Sequence, residues 1–167
     1  NADEETKKNT NEEILKLNKV FLDNREKIVK DNPDMFYSDL LGLMKEIEIP
    51  EGEKDANGDL VNPYFGYQYW KDHYWDYTDF SEGGILRTPV YYNKLINFLD
   101  KRTEPIQDSI IASCHHVLDK AKANDEIFQF TLVTLVNKYA NSKIMGDDAV
   151  YVDLIKSYYE TGQAVWT

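Results

Sequence analysis

Apolar residues recur at helical spacing along most of this chain. Ile14, Leu17, Phe21 and Ile28 fall on one face of a predicted helix, and Thr10 with Glu13 has the form of a capping box at its start. Residues 1–9 are polar and read as a frayed tail. Asn32 and Pro33 take cap and first-turn roles, and Phe36, Leu40, Leu43, Met44 and Ile47 repeat the helical pattern in a second helix. The two helices are expected to form an antiparallel hairpin. From Glu48 to Pro63 the pattern dissolves into Pro50, Gly52, Asn57, Gly58 and Pro63 among charges, which predicts a loop.

Beyond the loop, nine of the seventeen residues from Tyr64 to Phe80 are aromatic, and Phe65, Tyr69, Trp70, His73 and Tyr74 suit one face of a short helix. Thr88 and Pro89 open a further helix carrying Tyr91, Leu95, Phe98 and Leu99. The period continues through Ile110, Ile111, Cys114, Val117, Leu118 and Ala121, and after Asn124 through Phe128, Leu132, Leu135, Val136 and Tyr139. A last helix begins near Asp147 or Asp148, carries Tyr151, Leu154, Ile155 and Tyr158, and stops at Gly162. No segment shows convincing strand alternation. The expected class is therefore all-α: one helical bundle or array of about six or seven helices over residues 10–167, with Leu40, Leu95, Ile111, Leu118, Leu132, Leu135 and Ile155 buried.

Composition narrows the function. At 167 residues the chain can bury a core without a staple. Its formal net charge of −11 repels phosphate backbones, so nucleic acid is not an expected partner, and no apolar run is long enough to span a membrane. Cys114 is the single cysteine, which leaves no internal disulfide, CxxC pair or multi-thiolate zinc site. Asn1 and Ala2 match the end of a Ser-Asn-Ala scar left by removal of an affinity tag, so the start of the chain identifies no compartment.

Candidate chemistry is sparse. Asp55, Asn57 and Asp59 alternate like calcium ligands, but an EF-hand needs Gly and Glu where Leu60 and Gly66 stand, so an ordinary turn around Asn57 and Gly58 is expected. Cys114, His115 and His116 are consecutive, and neighbours on a helix point about 100° apart, so they cannot close round one metal. His73 with Asp72 and Asp76 can be drawn as an acid–base set, though a histidine among aromatics is more often a packing residue. No GxSxG elbow, P-loop, HExxH or dinucleotide-binding glycine pattern occurs. No catalytic residue, cofactor or metal is assigned.

The aromatic segment admits two readings. Its rings can be core, or Trp70, His73, Tyr74 and Trp75, with Arg87, can line a groove for a glycan or peptide. Arg87 is expected to lie on an aromatic face or to pair with Asp76, Asp79 or Glu82, pinning the loop ahead of Thr88.

The run His73-Tyr74-Trp75-Asp76, then Asp79-Phe80-Ser81, Leu86-Arg87-Thr88-Pro89 and Asn93-Lys94-Leu95 resembles a helical domain of unknown function in Bacteroidetes cell-envelope proteins. The second half is similar too, through Asn137-Lys138-Tyr139, Ser142-Lys143-Ile144-Met145-Gly146, Asp148-Ala149-Val150-Tyr151-Val152, Tyr158-Tyr159 and Thr161-Gly162-Gln163-Ala164. The acidic loop around Glu51 to Asp59, the acidic Asp147 and the Ala140-Asn141 pair depart from the pattern. In that family the domain stands ahead of a thioredoxin-like domain of the alkyl-hydroperoxide-reductase and thiol-disulfide-interchange type, and it has no catalytic residues to carry over. The resemblance implies an excised accessory domain, a spacer or docking module, from an exported and lipid-anchored parent in the periplasm or cell envelope. The implied partners are the thioredoxin-like domain of the same parent and another envelope protein.

Overall fold

The computed structural model describes residues 2–164 and 166, with side chains from Thr6 onward. Seven α-helices follow in order: α1 Ala2–Asp31, α2 Phe36–Leu43, α3 Phe65–His73, α4 Pro89–Arg102, α5 Gln107–Ala121, α6 Asp125–Ala140 and α7 Asp147–Leu154. A 3₁₀ segment, Gly83–Arg87, precedes α4, and a π-helical turn, Ile155–Tyr159, extends α7. About two-thirds of the chain is helical (66%), and no strand or sheet occurs among the described residues. The fold is all-α.

The core lies among α4, α5, α6 and α7. Leu95 and Phe98 on α4, Cys114, Val117, Leu118 and Ala121 on α5, Leu132 and Leu135 on α6, and Val150 and Leu154 on α7 are buried there at i, i+3 and i+4 spacings, the stripe each amphipathic helix turns inward. Of the seven expected core positions, Leu95, Leu118, Leu132 and Leu135 are buried. Leu40, Ile111 and Ile155 are half-buried, because each lies at the margin of its helix's inner stripe.

Helix ends follow local chemistry. Asn124 caps α6, its side-chain oxygen accepting from the N–H groups of Glu126 and Ile127, and Pro89 occupies the first turn of α4. Thr88 Oγ1 instead donates to the Ile85 carbonyl. Gly146 enters α7 at φ +100°, and a Cβ there would collide with Gln107, whose Nε2 donates to the Gly146 carbonyl. Asp147 is buried and accepts from Ser142 Oγ at 2.6 Å.

Two boundaries differ from expectation. α1 starts at Ala2 and runs through Thr10, whose Oγ1 donates to the Thr6 carbonyl inside the helix, so the Thr10–Glu13 capping box does not form. α2 starts at Phe36 and ends at Leu43. Asn32 and Pro33 belong to the connecting turn, where the Asn32 carbonyl accepts from Ser38 Oγ, and Ile47 lies beyond the helix. The expected antiparallel hairpin is present. Arg25 donates to the Leu41 carbonyl at 2.8 Å, and Lys45 pairs with Glu26 at 3.1 Å.

The 48–63 segment is a loop closed by one antiparallel bridge, Lys54 to Leu60. Asp55 Oδ1 accepts from the backbone N–H of Asn57 and Asp59, and these bonds hold its carboxyl below the usual range. Gly58 turns the chain at φ +90°. The carboxylate that alternates like a calcium ligand is thus engaged in an Asx turn.

Candidate functional site

α3 presents two aromatic stripes with different surroundings. Phe65, Tyr69 and His73 stack along one, with ring centroids 5.8 and 4.1 Å apart, and His73 Nδ1 lies 2.5 Å from Asp76 Oδ2. Trp70 and Tyr74 form the other at 4.4 Å and face α4. Tyr74 stacks on Phe98 at 5.0 Å and its hydroxyl donates to the Lys94 carbonyl.

That second stripe walls a groove of about 530 Å³ between α4 and the segment leaving α2. Its charged lining is Lys45, Glu46, Lys94, Lys101 and Arg102, with Asn93 and Asn97 alongside on α4. Lys45 is engaged with Glu26 and with the Tyr77 ring. Lys94 Nζ donates to the Leu43 carbonyl at 2.9 Å and lies 5.2 Å from the centre of the Tyr74 ring, and burial pushes its pKa down to about 8. Arg102 lays its guanidinium over Trp70 at 4.5 Å. In a chain of net charge −11, the groove has four cations against one acid. Such a wall attracts anions, and its tightly packed rings and amides can orient one.

The sequence-predicted site residues therefore separate. Trp70 and Tyr74 line the groove. His73 lies on the neighbouring stripe, outside it. Trp75 is 1% exposed, enclosed by Tyr74, Phe80, Tyr91 and Phe98, so it is core and offers no ring face to a ligand. Arg87 is exposed, and among the described residues it makes none of the expected contacts: Asp79 accepts from Ser81, Glu82 accepts from the Gly84 N–H, and Asp76 holds His73. The acid–base set of His73, Asp72 and Asp76 reduces to the exposed His73–Asp76 pair.

The family model described as a domain of unknown function, DUF5106, matches residues 7–165. The chain belongs to that family. No curated protein and no solved structure matches it.

Within this DUF5106 chain, Cys114, His115 and His116 diverge. Cys114 is fully buried, and burial pushes its thiol up to about 12, far from the thiolate form that redox exchange needs. His116 faces outward beside Phe98. His115 joins a polar relay that the sequence pattern did not reveal: its Nδ1 lies 2.8 Å from Tyr158 Oη and its Nε2 lies 2.6 Å from Asp153 Oδ2. A neutral ring protonated on Nε2 satisfies both contacts, with Tyr158 donating. The relay ties α5 to α7 and its π-helical turn, where the Tyr158 carbonyl also accepts from the N–H groups of Gln163 and Ala164. Lys94, Lys101 and Arg102 were likewise missed as a set. Their one signal was basic residues at i, i+7 and i+8 in an acidic chain.

Proposed function

We propose that this domain is a non-catalytic docking module that holds an acidic peptide segment in the groove between α4 and the segment leaving α2, walled by Trp70 and Tyr74. The observation that carries the reading is the cationic lining of that groove, Lys94, Lys101 and Arg102, set against Trp70 and Tyr74 in a strongly acidic protein. A glycan is less well matched. Sugar stacking needs an open ring face, and the Arg102 guanidinium already covers Trp70. An acidic side chain recruits that same guanidinium while it remains on the ring, and Asn93 and Asn97 supply amides for a peptide backbone.

The family resemblance supplies the setting: an accessory domain of an exported parent in the cell envelope, with redox chemistry in a following thioredoxin-like domain. The single buried cysteine is consistent with chemistry located elsewhere. An acidic segment of that domain, or of another envelope protein, is the proposed occupant.

Titration with a fluorescently labelled hexaglutamate peptide tests the groove. Saturable binding that weakens with added salt is expected, reduced about tenfold by Arg102→Ala and again by Lys101→Ala. Binding unchanged in the double variant, or none to the wild-type chain, overturns the proposal.

A further inference from the structure

The longest helix carries its apolar residues into solvent. α1 has 30 residues, about 45 Å at helical rise, and it packs against α2 through its C-terminal half, where Arg25 and Val29 are half-buried. Ile14 is 48% exposed, Leu17 69% and Phe21 60%, with Val20 and Ile28 beside them. A helix with an uncovered apolar stripe of this length is marginal in water by itself.

The stripe follows a heptad. Ile14, Phe21 and Ile28 stand at one core position of the repeat, with Leu17 and Asn24 at the other. The charge along α1 is split. Residues 2–13 hold five acids (Asp3, Glu4, Glu5, Glu12, Glu13) and two bases, whereas residues 14–31 hold five bases (Lys16, Lys19, Arg25, Lys27, Lys30) and three acids. In an antiparallel pair layered on Leu17 and Phe21, residues 7–31 of the two helices overlap, and Glu12 and Glu13 are set against the basic stretch around Arg25 and Lys27 twice over, as a two-fold axis requires.

We infer that α1 is a self-association element: two copies of this chain pair antiparallel through the Ile14–Ile28 stripe, centred where Leu17 meets the second copy's Phe21. In that register Val20 meets its own counterpart across the axis, and Glu13 faces the second copy's Lys27, once on each side. The inference is independent of the peptide groove, since none of these residues lines it.

Sedimentation equilibrium of the full 167-residue chain decides the matter. A reversible dimer is expected, lost in Leu17→Glu with the unfolding temperature of the remaining domain unchanged. Glu13→Lys and Lys27→Glu are each expected to weaken the dimer about tenfold, and the double variant to restore it. A parallel pair would place Glu13 beside Asn18, so the exchange would rescue nothing. A chain that stays monomeric at high concentration, a dimer indifferent to Leu17→Glu, or failed rescue in the double variant would each overturn the inference. Groove binding by hexaglutamate is expected to survive Leu17→Glu, so the two proposals fail separately.

Discussion

Lys94 Nζ donates to the carbonyl of Leu43, 51 residues earlier in the chain, and this bond fastens the end of α2 to the middle of α4. The ammonium sits largely out of water between that carbonyl and the Tyr74 ring, and burial lowers its pKa to about 8 from 10.5.

The sign of the resulting pH dependence follows from proton counting. Between about pH 8 and 10.5 the unfolded chain keeps the Lys94 proton that the folded chain has released, so this residue's contribution to stability rises with pH across that window and is flat below it. Cys114 opposes it above about pH 9, because burial holds its thiol protonated in the folded state. Comparison with Lys94→Met isolates the effect. The stability difference, variant minus wild type, is expected to move in the negative direction from pH 8 to pH 10 in urea unfolding, because only the wild type gains the Lys94 contribution. A difference independent of pH would show that the ammonium is well solvated.

Two tryptophans in one aromatic segment are expected to respond differently. Trp75→Ala empties a site closed by Phe80, Tyr91 and Phe98 and is expected to cost about 3–5 kcal/mol, whereas half-buried Trp70→Ala costs about 1–2 kcal/mol. Trp75→Phe should be milder than Trp75→Ala, since the indole Nε1 has no hydrogen-bond partner to lose among the described residues. Denaturant unfolding of the three variants gives the order directly.

The His115 relay should act as one unit. His115→Phe leaves the Tyr158 hydroxyl and the Asp153 carboxylate unpaired and is expected to destabilise by about 1–3 kcal/mol. Tyr158→Phe alone is expected to cost about 1 kcal/mol, and the double variant less than the sum. Strict additivity in that cycle would mean that the contacts do not couple.

Local sequence was enough to determine the helices of this protein and most of their ends. Asn124 caps α6 because its side chain reaches N–H groups two and three residues ahead, and Pro89 opens α4 because its fixed φ suits a first turn. The 3.6-residue period likewise marked Leu95, Leu118, Leu132 and Leu135 as core. Periodicity reports that a face is apolar. It does not report what covers it: the α1 stripe is as periodic as those of the core helices, yet Ile14 and Leu17 meet solvent. The division of the aromatic segment into buried Trp75 and groove-lining Trp70 was also tertiary: five residues apart, they take different surroundings because α4 encloses one with Tyr91 and Phe98 and passes beside the other with Lys94 and Arg102. The His115–Asp153 pair arises from residues far apart in sequence, where no local pattern exists to be read, and the bases of α4 line a groove only because the segment leaving α2 and Trp70 and Tyr74 pack beside them. Their juxtaposition depends on helix packing, which is set by the summed fit of many side chains.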